Sequence, residues 1–519
     1  MHSEGGIRGQ RQYLTHKDSL LSWLCTFSNP ISDRRHLPPV RNDLASPAKT
    51  GCDEPMFQMN GAPARCGGRL TRRAMLKIGA ILPLGLTLPS LLSAASASSP
   101  HGGKFGKAKR CLMLYMWGGP SHIDMFDMKP EAPVEIRGEF SPIRTRVPGI
   151  QICEHFPHLA RQTDKIGFIR SVTHSDNNHS TSAHWMLTGH KHALSAENFG
   201  AQSSDFPHIG SVLSKLAPSR SHLPTFVALP EIIGTTAGFV TPGQGGGILG
   251  PAFDPFRINQ HPDEANFRVQ NLTPVPGLTD ARLRSRVDLL HELDRLRADL
   301  IDSAEASALS TFQQRALDLV TSEQTRTAFD LQSEPESARE RYGRHTFGQS
   351  LLLARRLLQS GVKLVTVYWH RDKPGVDTTW DTHSGNFKQL KERLLPQTDR
   401  SVATLLEDLS ACGLLDDTLV VWMSEFGRTP RINNSDAGRD HWGACNTIWM
   451  AGGGVPGGQV YGASDKIASE PVSDAVSPAD LSATIYHLLG LDPASVIYDP
   501  LGRPLPISEG HVLKRFIEA

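Results

Sequence analysis

Short, continuous apolar runs that stop abruptly at polar turns constrain this chain more than any other feature. CLMLYMW at 111–117 ends on Gly118-Gly119-Pro120-Ser121-His122, and similar runs recur at 166–170, 225–230, 362–369, 418–427 and 444–453. They lack the alternation of a half-solvated strand, so each predicts a strand buried on both faces. Between them lie segments with helical periodicity at 206–216, 350–361 and 397–413. Strands alternating with helices predict an α/β fold with a largely parallel central sheet covered on both faces. In such sheets ligands bind where strands hand over to loops at their carboxyl ends.

The segment 278–341 departs from this pattern, being charged, helical and free of strand candidates. It predicts a helical insertion in the α/β domain and offers a surface for a protein partner. Its a/d-like spacing holds for too few heptads to indicate a coiled coil. The glycine-rich run 241–256 reads as a surface loop. It lacks the lysine and hydroxyl ending of a phosphate-binding nucleotide loop, so no nucleotide cofactor is expected.

Upstream, Arg72 and Arg73 precede a modestly apolar stretch, 74–92, and the small-residue run Ala95-Ser96-Ala97. This order is that of a twin-arginine export signal. The apolar stretch is interrupted by Gly79, Pro83, Gly85 and Pro89, so no stable membrane span is expected after processing. The expected organisation is an extension at 1–70, a signal peptide at 71–97, a linker at 98–110 and the α/β domain at 111–519. The extension is either a long leading region or the result of a start codon assigned too far upstream, the second being favoured. Export places the mature protein in the periplasm or at the cell surface.

Charge narrows the partners. With 54 basic and 53 acidic residues the formal net charge is +1. The mature part has no long basic run, so nucleic acid is not expected as a partner. Seven cysteines, at 25, 52, 66, 111, 153, 412 and 445, form no close pairs, which excludes a zinc ribbon or a disulfide scaffold.

Four polar clusters follow the strand-like runs. The first holds His122, Asp124 and Asp127; the second holds His174, Asp176, His179, His184 and His190. The third holds His370, Asp372, Asp377, Asp381 and His383; the fourth holds Glu425, Arg428, Arg431, Asp440 and His441. The second cluster lacks the HExxH spacing of a helical zinc site and reads as a loop able to wrap a site. Carboxylate and imidazole together suit a divalent ion such as Zn²⁺, Mn²⁺, Fe²⁺ or Ca²⁺, and they suit metal-assisted hydrolysis of phosphate or sulfate esters. Arg428 and Arg431 are candidate anion clamps.

The motifs LYMWGGPSHIDMFDMKP, HWMLTGH, WDTHSGNF and SEFGRTPRINNSDAGRDHW together resemble the domain-of-unknown-function family 1501 over roughly residues 108–515. That family is placed with the sulfatases in the alkaline-phosphatase superfamily. The resemblance implies an alkaline-phosphatase-like α/β/α sandwich and an exported, sulfatase-like protein acting on small anionic or polysaccharide esters. Its alternative is a binding or scaffold protein that keeps a metal without turnover. Sulfatases place a modified cysteine or serine nine residues before the threonine of a Leu-Thr-Gly segment. Here Leu187-Thr188-Gly189 is present and the residue nine before Thr188 is His179. Formylglycine chemistry is therefore disfavoured, which leaves a histidine that ligates metal, a histidine that attacks, or no nucleophile at all. The superfamily's aspartate after the first strand is replaced by Trp117-Gly118-Gly119, with Asp124 or His122 as substitutes from the turn. Its Asp-His pair resembles Glu425-Phe426, with His441 standing in for the lost histidine, and Asp381 and His383 resemble the other ligand group. The expected metal ligands are thus Asp124, His370, Asp381, His383, Glu425 and His441, with His179 and Arg428 as catalytic groups.

Overall fold

A computed structural model describes residues 103–519 apart from 197–198, 372–378 and most of 270–321. The extension, the export signal, Asp372, Asp377 and most of the helical insertion therefore lie outside the described residues. Each apolar run forms a strand: β1 (Arg110–Tyr115), β2 (Ile166–Val172), β3 (Phe226–Leu229), β5 (Leu364–Tyr368), β6 (Thr418–Met423) and β7 (Asn446–Ala451). Two short strands without a strong apolar signal complete the sheet, β4 (Phe256–Arg257) and β8 (Gln459–Tyr461). The order across the sheet is β8-β2-β7-β6-β1-β5-β3-β4. All neighbouring pairs are parallel except those of β7, which runs antiparallel to both β2 and β6.

Strands β5, β6 and β7 are buried at every position, and β1 at every position but its first. Continuous burial means that both faces are covered. The covering helices are α1 (His122–Met125), α2 (His179–Thr188), α3 (Ile209–Leu216), α4 (Glu323–Phe329), α5 (Glu336–Tyr342), α6 (Thr346–Ser360), α7 (Leu395–Ala411) and α8 (Pro478–Leu488). The step from β2 to β3 crosses the sheet in one direction through α2 and α3. The steps into β5 and β6 cross in the other direction through α6 and α7. Right-handed crossovers therefore put α2 and α3 on one face and α6 and α7 on the opposite one. The result is an α/β/α sandwich with a largely parallel sheet, as the sequence led us to expect. The described end of the insertion, α4 and α5, packs against α6.

This topology gathers the polar clusters. β1, β5 and β6 are parallel neighbours, so the residues after Tyr115, Tyr368 and Met423 emerge at one edge. β2 is parallel to β6 and delivers 173–179 to that edge. Because β7 is antiparallel, it starts there, and the residues just before it, His441 and Trp442, arrive at the same place.

Among the described residues Cys111, Cys153, Cys412 and Cys445 are free thiols.

Candidate metal centre

The second polar cluster, expected to be a loop, is a helix from His179 to Thr188 with His174 and Asp176 in the turn before it, and this sets the geometry of the site. Asp176 Oδ1 accepts both the backbone and side-chain N–H of Asn178, each at 3.0 Å, which turns the chain into α2 with His179 as its first residue. The helix is buried on almost every side. A helix covered all round has no polar stripe, so its period is invisible in the sequence.

His179 Nδ1 lies 2.7 Å from Glu425 Oε1, and the same oxygen accepts the Gly118 N–H at 2.7 Å. His179 Nε2 points the other way, 3.2 Å from Asp381 Oδ2. On the far side of that carboxylate, His383 Nε2 and His441 Nε2 each stand 3.1 Å from Oδ1, and 2.8 Å from one another. Asp381 reaches this position because its loop docks on the turn after β1, with the Trp380 N–H bonded to Trp117 O at 3.0 Å. Gly118 permits the approach: its φ is +113°, and a Cβ there would sit 2.4 Å from the Asp381 nitrogen. Trp117 and Phe426 wall the His179 ring, with centroids at 5.0 and 4.9 Å.

Burial and charge shift the titrations in different directions. Burial alone would pull the His179 imidazole down, but hydrogen bonds to Asp381 and Glu425 outweigh it and lift the group to about 10. Asp381, despite a burial effect that favours its neutral form, is held far below the usual carboxylate range by Arg428 and the histidines. His383 is raised by its bond to Asp381, against an opposing effect of burial. Burial pushes His441 down to about 4, only partly offset by Asp381. Asp440, although burial works the other way, is lowered by its bond to His383.

These residues fit a divalent ion. His179, Asp381 and His441 each offer a ligand atom within 4.8 Å of the others. Donors on a tetrahedral ion with bonds of ~2.1 Å stand roughly 3.4 Å apart, and the His179–Asp381 and His441–Asp381 separations of 3.2 and 3.1 Å come near that. The second nitrogen of every imidazole is also occupied: His179 Nδ1 by Glu425, His383 Nδ1 by Asp440 at 2.7 Å, and His441 Nδ1 by the Asn177 carbonyl at 2.8 Å. Outer partners of this kind orient metal-binding histidines. For His441 the tautomer follows from the partner. A carbonyl only accepts, so Nδ1 carries the proton, and Nε2, 3.1 Å from Asp381 Oδ1 and 2.8 Å from His383 Nε2, is left with the lone pair that a ligand nitrogen needs.

Four expected site residues stand elsewhere or act differently. Asp124 is buried and takes Arg439 through both oxygens, at 2.7 Å each, with Ser121 Oγ at 2.6 Å and Asn386 Nδ2 at 2.9 Å. Its carboxylate is fully engaged in an internal ion pair and does not join the cluster. His370 is buried against Trp369 and His261, at centroid distances of 5.6 and 5.8 Å, and lines a separate pocket with Asp263, Glu264, His345 and Thr346. Arg428 is fully buried and donates to the carbonyls of Gly119, Arg439, Gly118 and Trp380 and to Asp381. It neutralises Asp381 and does not face open space where an anion could be clamped. Glu425 meets the cluster through His179, not directly, and its Oε2 is buried without a hydrogen bond.

Sequence reasoning did not single out Asn177 or the partnership of Asp440 with His383. Asp440 was discoverable as the residue preceding His441. The Asn177 contact is made by a backbone carbonyl, which leaves no trace in residue type.

A family model described as "Protein of unknown function (DUF1501)" matches residues 108–517. No curated protein matches the chain. Similar solved structures include the PsFucS1 sulfatase from Pseudoalteromonas sp., 13% identical over 76% of this chain and 69% of that one, with a TM-score of 0.33. The lipoteichoic acid synthase LtaP from Listeria monocytogenes is 9% identical over 79% and 90%, with a TM-score of 0.35. The phosphonate monoester hydrolase SpPMH from Silicibacter pomeroyi is 13% identical over 79% and 76%, with a TM-score of 0.30. Likenesses this distant carry no argument about chemistry. The family match does carry one about membership: over nearly all of its described length, this chain belongs to the DUF1501 family.

Proposed function

We propose that the protein is a divalent-metal-dependent hydrolase of sulfate or phosphate esters, its ion held by His179, Asp381 and His441. The observation that carries the proposal is the convergence of imidazole nitrogens on Asp381, each ring fixed through its other nitrogen. A bound divalent ion supplies Lewis acidity toward a phosphoryl or sulfuryl oxygen. The chain's own residues do the rest. Glu425 and Asp440 orient His179 and His383, Arg428 holds Asp381 ionised, and Trp117 and Phe426 keep water from one side of the site. Glu425 holds His179 Nδ1, which leaves Nε2, beside Asp381, as the nitrogen that would give up its proton to bind the ion.

That engagement of His179 also favours a second reading, in which the protein binds an anionic ester at the metal without turnover. The two are separated by assaying the metal-loaded protein against a panel of sulfate and phosphate monoesters and diesters, polysaccharide esters included. Hydrolysis abolished by His441→Ala supports the enzyme. Binding without hydrolysis, lost in the same variant, supports the second reading. We further propose that residues 71–97 direct twin-arginine export, which places the substrate outside the cytoplasm, and that the insertion 278–341 offers a partner surface. Among the described residues no helix is long and apolar enough to cross a membrane.

A further inference from the structure

The segment 431–440 contains a turn that ligand geometry alone does not call for. Asn433 Oδ1 accepts the N–H groups of Ser435 and Gly438 at 2.9 and 3.1 Å, and the Asn433 N–H bonds Gly438 O at 2.8 Å. Within it Asp436 and Ala437 have φ of 51° and 54°. Two successive non-glycine residues in the left-handed region are unusual, and alanine there has no side-chain bond to compensate. Such conformations persist where the surroundings over-determine them, and they gather at functional sites.

The surroundings here are the loop that carries His383. Asp436 O accepts the Gly385 N–H at 2.8 Å, and the Arg439 N–H donates to Thr382 O at 3.1 Å. Gly438 lies so close that a Cβ would stand 1.8 Å from His383 O. The remaining arm of Asn433, its Nδ2, donates to His383 O at 3.1 Å and to Asp440 Oδ1 at 3.2 Å. Asp440 Oδ1 in turn holds His383 Nδ1. One side-chain amide therefore grips both the backbone of His383 and the partner of its ring.

His383 requires such a grip. Its side chain is 44% exposed, against 13% for His179 and 18% for His441. Those two are walled by aromatic rings and stay in place by packing, whereas a half-exposed imidazole has free rotamers in water.

We propose that Asn433 is the positioning residue that keeps His383 in the metal centre as a fourth protein ligand beside His179, Asp381 and His441. The proposal rests on the metal-centre reading given above. Asn433→Asp preserves the acceptor that closes the turn, removes both Nδ2 donors and sets a carboxylate against Asp440. His383 then turns to solvent while three ligands remain.

The test uses the full chain loaded with Co²⁺, read by its visible ligand-field spectrum and by cobalt affinity. Asn433→Asp is expected to convert the wild-type spectrum into that of His383→Ala and to weaken cobalt binding ~10–100-fold. Ala437→Gly relieves the left-handed alanine without touching His383 and is expected to leave the spectrum unchanged. Asn433→Asp is repeated in that background, where the stability of the turn does not limit folding. A wild-type spectrum in Asn433→Asp, or in His383→Ala, overturns the proposal. Wild-type protein that takes up no cobalt overturns the metal centre itself, so the two failures are distinct.

Discussion

At the scale of single residues, buried charges in and around the site are balanced by partners far away in the chain. Asp124 and Arg439 are 315 residues apart and both fully buried. Removing one member of such a pair leaves an uncompensated buried charge. Asp124→Ala should therefore destabilise the protein by about 3–5 kcal/mol in urea denaturation while the folded fraction keeps its metal. Asp381→Ala has a different signature, because it deletes a ligand and strands Arg428. It should lose the ion and a comparable amount of stability, as followed by metal content and denaturation together. The contrast explains what was legible in the sequence. Asp381, His383 and His441 stand in short motifs dense in ligand-type residues, and their convergence follows from strand order. Asp124 stands in an equally polar motif, but an internal arginine that claims its carboxylate cannot be read from local residue types.

At the scale of elements, the strands were legible because continuous apolar runs admit few alternatives, whereas α2 was not. Its first residue is a site histidine, and the rest is buried on almost all sides, so no amphipathic period shows. The direction of β7 was equally hidden, since an apolar run says nothing of polarity. Burial along α2 and at the start of α3 has a measurable consequence. His184 Nε2 accepts the Phe206 N–H at 3.2 Å, and His208 Nδ1 accepts the Gly210 N–H at 2.8 Å to cap α3. Both rings must be neutral at those nitrogens. Burial lowers each to about 3, with His192 and His190 facing His184 and Arg257 facing His208. In the unfolded chain a histidine titrates near ~6.5. Below that pH the unfolded state takes up protons that the folded state refuses. Stability should thus be unaffected by these groups above pH ~6.5 and fall steadily as pH drops toward ~3. Denaturation midpoints measured across this range for His184→Gln/His208→Asn should show a shallower decline than wild type.

At the scale of the whole molecule, the architecture turns dispersed polar motifs into one site. Parallel strands β1, β2, β5 and β6 deliver the four motifs to one edge, and antiparallel β7 starts where the last of them ends. The delivery of the motifs by parallel strands followed from the alternation of runs and helices; the direction of β7 did not. The chemistry did not, because it depends on which atoms face one another across loops separated by scores of residues. The export reading belongs to this scale too. Arg72→Lys/Arg73→Lys should hold the precursor in the cytoplasm, as seen by cell fractionation, with no change in the metal content of the folded domain. The central claim is the metal centre, and elemental analysis of the purified protein tests it most directly. Wild-type protein should carry a divalent transition-metal ion stoichiometrically, and His179→Ala and Asp381→Ala variants purified alongside should not. A folded wild-type protein that remains metal-free after incubation with Zn²⁺, Mn²⁺, Fe²⁺ and Ca²⁺ in turn would contradict it.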